Sequence, residues 1–120
     1  METVRAREMN KREIGSIGEQ AAAKMLEFQG YINISRNYRC SYGEIDIVAE
    51  NEESICFIEV KMRTSCIYGR PCEAVSRKKQ ERIRKAAVHY LKERKQSGHS
   101  YKDIRFDVME IYINHMKGVF

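Results

Sequence analysis

An α/β domain around a small mixed four-stranded sheet is the fold this sequence predicts, on three observations. Two stretches, Lys11 to Phe28 and a second one capped by Ser76, space their apolar residues at helical intervals. Four shorter stretches are rich in β-branched and aromatic residues and read as strands. Their order is α, β, β, β, α, β. Three strands joined by short turns form an antiparallel meander, and a helix between the third and fourth strands requires a right-handed crossover with those two strands parallel. With 120 residues the chain is one domain's worth, enough for one core and too short for two.

Residues 1–10 are polar and aperiodic and read as a loose tail. In the first helix Ile14, Ile17, Gly18, Ala21, Ala22, Met25 and Phe28 supply the apolar or small positions, and Gly30 is a stop signal. Tyr31 to Tyr38 reads as a short strand, weakened by Asn33. Ser41-Tyr42-Gly43 is turn chemistry, after which Glu44 to Ala49 alternates as a strand should. Asn51-Glu52-Glu53 turns the chain back into Ile55 to Arg63, so these two strands form a hairpin. The loop Thr64 to Cys72 carries Gly69 and the single proline, Pro71. The second helix buries Ile83, Ala86, Ala87, Tyr90 and Leu91, puts Lys and Arg on most other positions, and ends at Ser97-Gly98-His99-Ser100. Ile104 to Ile113 is the last strand.

Composition narrows the function classes. The chain is 42% apolar and 32% charged, as soluble globular proteins are, which argues against disorder. No run approaches the eighteen apolar residues of a membrane span, and the first residues lack the apolar segment of a secretory signal, so a cytosolic protein without membrane association is expected. The four cysteines, Cys40, Cys56, Cys66 and Cys72, include no C-x-x-C pair; Cys56 reads as a small core residue and the rest as reduced thiols. The net charge of +5 is unevenly spread. Ser41 to Val60 holds six acidic residues and no Lys or Arg, whereas Lys61 to Lys95 holds twelve Lys or Arg against three Glu. Such a sequence suits a metal-dependent enzyme acting on a polyanion, with carboxylates for a cation and a basic surface for phosphates. It equally suits a solvated, basic helix face.

The strand pattern places the charges. Glu59 and Lys61 share a face of the third strand, and Glu44 and Asp46 share a face of the second. Any hairpin register whose paired numbers sum to an odd value, such as a symmetric turn at Asn51-Glu52, brings Asp46 to the side of Glu59 and Lys61. Two carboxylates one cross-strand step apart can share a hard cation. Glu59 and Lys61 also interrupt an apolar strand, where burying charge requires a partner. A structural ion pair, Glu59 with Lys61 or Asp46 with Lys61, is the competing explanation.

These residues resemble a known motif. Asp46, twelve intervening residues and then Glu59-Val60-Lys61, preceded by helical Glu19 in this order of elements, resemble the PD-(D/E)XK nuclease superfamily and its restriction-endonuclease-like fold. Gly18-Glu19, Gly43 to Ala49, Phe57 to Arg63 and Arg105 to Val108 resemble more closely the YraN-like family of small bacterial proteins, over about Lys11 to Ile113. The resemblance implies a Mg²⁺- or Mn²⁺-dependent DNA endonuclease that hydrolyses phosphodiesters on branched or structured DNA. Asp46 and Glu59 would be metal carboxylates, the Val60 carbonyl a further ligand, and Lys61 the group that positions or activates water. Glu19 matches the helical glutamate of the Holliday-junction-resolvase-like branch. The superfamily's proline before the aspartate is Ile45 here, which that branch tolerates. By analogy with that branch, a homodimer is expected.

Arg63, Arg70, Lys78, Lys79, Arg82 and Lys85 are candidates to grip phosphates, with Tyr68 available to stack. With no separate recognition domain, DNA contacts should be backbone-dominated and salt-sensitive. The rival function is a non-catalytic nucleic-acid-binding module that keeps the nuclease fold. Glu44 reads as a solvated carboxylate, Asp107 as a partner of Arg105 or of a helix arginine, and His89, His99 and His115 as surface residues.

Overall fold

Asn10 and Ser76 start the two helices in the same way, each side-chain oxygen accepting the backbone N–H three residues on, from Glu13 at 2.9 Å and Lys79 at 3.2 Å. The computed structural model describes residues 8–63 and 75–120. In chain order it contains α1 (Lys11–Phe28), β1 (Asn33–Cys40), β2 (Gly43–Glu50), β3 (Ser54–Arg63), α2 (Arg77–Gln96) and β4 (Asp103–Tyr112). The strands form one sheet in the order β1-β2-β3-β4, antiparallel across the first three and parallel between β3 and β4. This is the α/β architecture and element order expected from the sequence. The loop Thr64 to Cys72, with Tyr68 and Arg70, lies outside the described residues.

Several boundaries move for local reasons. At the end of α1 the Gly30 N–H donates to Glu27 and the Tyr31 N–H to Leu26, with Gly30 at φ 96°, so the helix closes through Tyr31 and β1 starts at Asn33 rather than Tyr31. In the hairpin, Asn51 Oδ1 accepts the N–H groups of Glu53 and Ser54, and Ile47 stands opposite Ile58. The turn is therefore centred on Glu52-Glu53, not Asn51-Glu52, but the parity needed to bring Asp46 beside Glu59 is kept. β4 begins at Asp103, opposite Ser54, and ends at Tyr112, one residue earlier at each end than expected.

Each face of the sheet carries a helix and a core. On the α2 side Val48, Ile55 and Phe57 pack with Ile83, Ala86, Ala87 and Tyr90; on the α1 side Ala22 and Leu26 pack with Ile47, Ala49, Cys56 and Ile58. Cys56 is the small core residue expected, and burial with a hydrogen bond to Asp107 pushes its thiol up to about 12. The buried line of α1 is Gly18, Ala22 and Leu26, whereas Ile17, Ala21, Met25 and Phe28 face outward, contrary to expectation. The cause is at Gly18. A Cβ there would lie 3.3 Å from the Met62 Cβ, so the missing side chain lets α1 approach β3 closely.

Glu50, at the end of β2, is a buried charge with a full set of partners. Its carboxylate accepts from Tyr90 Oη at 2.6 Å, Asn33 Nδ2 at 2.8 Å, Tyr101 Oη at 2.9 Å and Arg94 at 3.1 Å. One anion thus ties α2, β1 and the segment before β4 to the sheet. That satisfaction is what permits its burial.

Candidate functional site

The site forms where the sheet departs from regularity. The β1–β2 ladder pairs Arg36 with Ile47 and Tyr38 with Ile45 but omits Asn37 with Asp46, and the β2–β3 ladder stops at Ile47 with Ile58, one step short of Asp46 with Glu59. Side-chain alternation inverts at the same level. Ile47 packs on the α1 side, yet Ile45 belongs to the α2 side; Arg36 reaches the α1 residues Ser16 and Glu19, whereas Tyr38 packs against Tyr90. Asn37 makes the inversion possible, because it takes a left-handed backbone conformation, φ 58°, that few residues other than Gly, Asn and Asp adopt readily.

Released from the ladder, the Asp46 carboxylate accepts the Val60 N–H at 2.9 Å, a bond that a regular strand would give to main chain. A strand residue turns its N–H and C=O to the same neighbour, so the Val60 carbonyl also faces the Asp46 side. Glu59 is buried beside this pair, 6% exposed. Burial raises the Asp46 carboxyl above the ordinary carboxylate range and the charge of Glu59 raises it further, while the Val60 N–H and Lys79 oppose the rise. The Asp46 carboxylate thus sits in an electrostatically strained position that a cation would relieve.

An internal cation already stands there. Lys79 of α2 places its ammonium 2.5 Å from Glu59 Oε1. It is the strongest ion-pair contact at the site, and it replaces the structural alternatives of Glu59 with Lys61 or Asp46 with Lys61. Lys79 is therefore a site residue, not only one of the basic residues available to phosphate. Lys61 follows Glu59 on the same strand, half-buried and opposite Glu110 of β4, and forms no ion pair among the described residues.

Beside Asp46 and Glu59 lies an open cleft of about 430 Å³, with Glu44, Asp46 and Glu59 on one wall and Lys78, Lys79 and Arg82 on the other; Lys61 does not line it. Helical spacing continues the basic wall: Lys78, Arg82, Lys85, His89 and Lys92 recur every three or four residues along α2. Lys85, His89 and Lys92 border a second shallow depression with Tyr42. His89 is more than a surface residue, since it is half-buried and hydrogen-bonded to Tyr38 Oη at 2.6 Å. Asp107 meets Arg105 as expected, with contacts of 2.9 Å and 3.0 Å to the guanidinium Nε.

Other predicted residues stand apart from the cleft. Glu19 does not line it and is bound to Arg36 at 3.2 Å. With its amide nitrogen turned toward the acids, Asn37 donates to Glu19 Oε1 at 3.2 Å and to Glu44 Oε1 at 3.1 Å, linking the helical glutamate to the cleft wall. Arg63 ends β3 opposite Tyr112 and does not line the cleft. Glu44 is exposed, as expected, though it also pairs with Arg39 at 3.7 Å. Sequence reading missed Asn37 and the specific place of Lys79. For Asn37 the available signal was an Asn inside a strand, and for Lys79 its position one turn after the Ser76 cap.

The residues present fit a hard divalent cation in one limited sense. Among the described residues no three His, Cys, Asp or Glu side chains cluster as a complete cage. Mg²⁺ needs less, since it retains several waters and commonly takes only one or two carboxylates. Asp46, Glu59 and the Val60 carbonyl are such a set.

The family comparison matches this region of the chain. Residues 18–111 match the model of the Uncharacterised protein family UPF0102. The chain belongs to this family. It is 42% identical over 106 residues to a UPF0102 protein of Caldicellulosiruptor saccharolyticus, covering 88% of this chain and 87% of the relative. It is 45% identical over 111 residues to one of Moorella thermoacetica, covering 92% and 90%, and 39% identical over 123 residues to one of Myxococcus xanthus, covering 97% and 95%. The YraN-like resemblance read from four short motifs is this UPF0102 membership. The UPF0102 match begins at Gly18, the contact between α1 and β3, and includes every residue of the Asp46–Glu59–Lys61 element. No helix among the described residues is long and apolar enough to cross a membrane.

Proposed function

We propose that the chain is a Mg²⁺- or Mn²⁺-dependent endonuclease that hydrolyses phosphodiesters in DNA, with branched or structured DNA as the substrate class. The observation that carries this reading is the Asp46 carboxylate, turned out of its ladder onto the Val60 N–H and set beside the buried Glu59. An irregularity of this kind costs backbone pairing and juxtaposes two acids, so a purely structural role leaves it unexplained.

Asp46, Glu59 and the Val60 carbonyl would hold the metal. When bound, it supplies charge neutralisation at the scissile phosphate and a water of lowered pKa. Lys61, two residues from Glu59 on the same strand face, would hold a water or a phosphate oxygen by hydrogen bonding. Lys79 would exchange its contact with Glu59 for a contact with phosphate, which keeps the site's charge balanced in both states. Lys78 and Arg82 hold the backbone at the cleft, and Lys85 and Lys92 extend the track along α2. Glu19 acts at one remove, through Asn37 and Arg36.

The test is cleavage of a panel of duplex, flapped and four-way DNA with Mg²⁺ or Mn²⁺. Wild type should cut at least one branched substrate, and Lys61→Ala should abolish cutting while leaving binding within about twofold. A second reading, a nucleic-acid-binding module without catalysis, draws on the tight Lys79–Glu59 contact as a permanent internal neutralisation. It expects DNA binding by wild type, no cutting of any substrate, and no response to Lys61→Ala.

A further inference from the structure

We infer that the free edge of β4 is a self-association surface, on which two copies of this chain pair antiparallel about Phe106 and continue the sheet from four strands to eight. The inference stands on β4 and does not depend on nuclease chemistry.

β4 is an edge strand of ten residues, and among the described residues nothing pairs with its outer side. Its side chains are unusually apolar for an edge: Ile104 is 50% exposed, Phe106 38% and Val108 48%. Natural sheets usually shield such an edge with charge, proline or a bulge, because its unpaired N–H and C=O groups recruit another strand. The β4 charges instead make the strand complementary to itself. With Phe106 opposite Phe106 of a second copy, Arg105 stands opposite Asp107, Ile104 opposite Val108, and Lys102 opposite Glu110, each pair occurring twice by symmetry. Moving the centre one residue either way is unfavourable. A centre at Arg105 opposes Arg105 to itself and Asp103 to Asp107, and a centre at Asp107 opposes Asp107 to itself.

Arg105 and Asp107 are already joined within one copy, so the dimer closes them into a ring of four alternating charges, with Tyr31 holding the second arm of Arg105 at 2.7 Å. Because paired residues share a parity, the symmetry axis runs perpendicular to the sheet and both copies of α2 lie on one face. Both clefts then open on that face. Given strand spacings of about 4.8 Å and rises of about 3.3 Å per residue, the two Glu59 residues would stand on the order of 20 Å apart.

Sedimentation equilibrium of the full chain should show a monomer–dimer equilibrium. Lys102→Glu gives up the exposed contact of Lys102 with Glu53 at 3.2 Å within each copy, replaces two attractive pairs across the interface with two repulsive ones, and should weaken the dimer about tenfold. Lys102→Glu combined with Glu110→Lys should restore it, a rescue that general destabilisation would not give. Val108→Lys should yield monomer, with circular dichroism verifying that it remains folded. A wild-type chain that stays monomeric at its solubility limit overturns the inference. So does a dimer that neither Lys102→Glu nor folded Val108→Lys weakens, because such a dimer uses another surface.

Discussion

At Asp46 the carboxylate is held above its ordinary range by burial and by Glu59, and this has a consequence for stability. A carboxyl whose pKa is raised on folding contributes stability below its unfolded value and loses that contribution as pH rises through the folded one. Asn at this position still accepts the Val60 N–H but does not ionise. Asp46→Asn is therefore expected to be more stable than wild type at neutral pH by roughly 0.5–1 kcal/mol, the lower range for relaxing a functional site, with the difference vanishing in acid. Thermal melts at two pH values check this. Substitution at Glu50 has the opposite effect on stability. Glu50→Ala leaves Tyr90, Tyr101 and Arg94 without their shared acceptor and should cost about 3–5 kcal/mol in denaturant unfolding, without any effect specific to metal. Sequence alone distinguished Glu59 and Lys61, because charge in an apolar strand is expensive enough to require a reason, and hairpin parity brought Asp46 beside them. It did not distinguish Glu50, whose partners on α2 and before β4 lie forty or more residues away.

Among the elements, helices and hairpin were legible because each carries its own local instruction: the apolar spacing and Gly30 stop of α1, the Ser76 cap of α2, the Asn51 turn; the Asn10 cap, in a stretch that read as tail, was not. What was not legible depends on approach between elements. The face α1 buries follows from the gap at Gly18, filled by Met62 of β3. Gly18→Leu should accordingly force α1 outward and destabilise the fold by about 1–3 kcal/mol, measured by denaturant unfolding. The inversion of alternation at Asn37 was hidden for a similar reason. Strand reading assumes a strict period of two, and a single left-handed residue breaks it. Asn37→Ala removes both the favourable backbone choice and the bridge from Glu19 to Glu44. The variant should stay folded but hold divalent cation more weakly, which calorimetry would resolve.

Across the whole molecule, charge separation along the sequence becomes charge separation across a cleft, acids on the β2–β3 wall and bases on α2. The parallel pairing of β4 beside β3 supports Glu59 from the other side, with Val108 in register against it. Backbone-dominated DNA binding makes a quantitative demand at this scale. If Lys78, Arg82, Lys85 and Lys92 each contact a phosphate, replacing all four with Ala should reduce the slope of log affinity against log salt by about 3 to 4 for duplex DNA. An unchanged slope would place the DNA on another surface. The fold and the acidic pair were thus readable from residues and their order, whereas the cation already on Glu59 was not. Lys79 is one of several Lys and Arg residues on α2, and only the docking of the helix singles it out.

The proposed function stands on Asp46 and Glu59 as a site for a hard divalent cation. Titration calorimetry of the full chain with Mg²⁺ and with Mn²⁺, alone and with DNA present, tests it most directly against an Asp46→Asn/Glu59→Gln variant shown by circular dichroism to be folded. Wild type should bind saturably, and that binding should disappear in the folded variant. Absence of binding by wild type even with DNA, or equal binding by the variant, would contradict the proposed metal site.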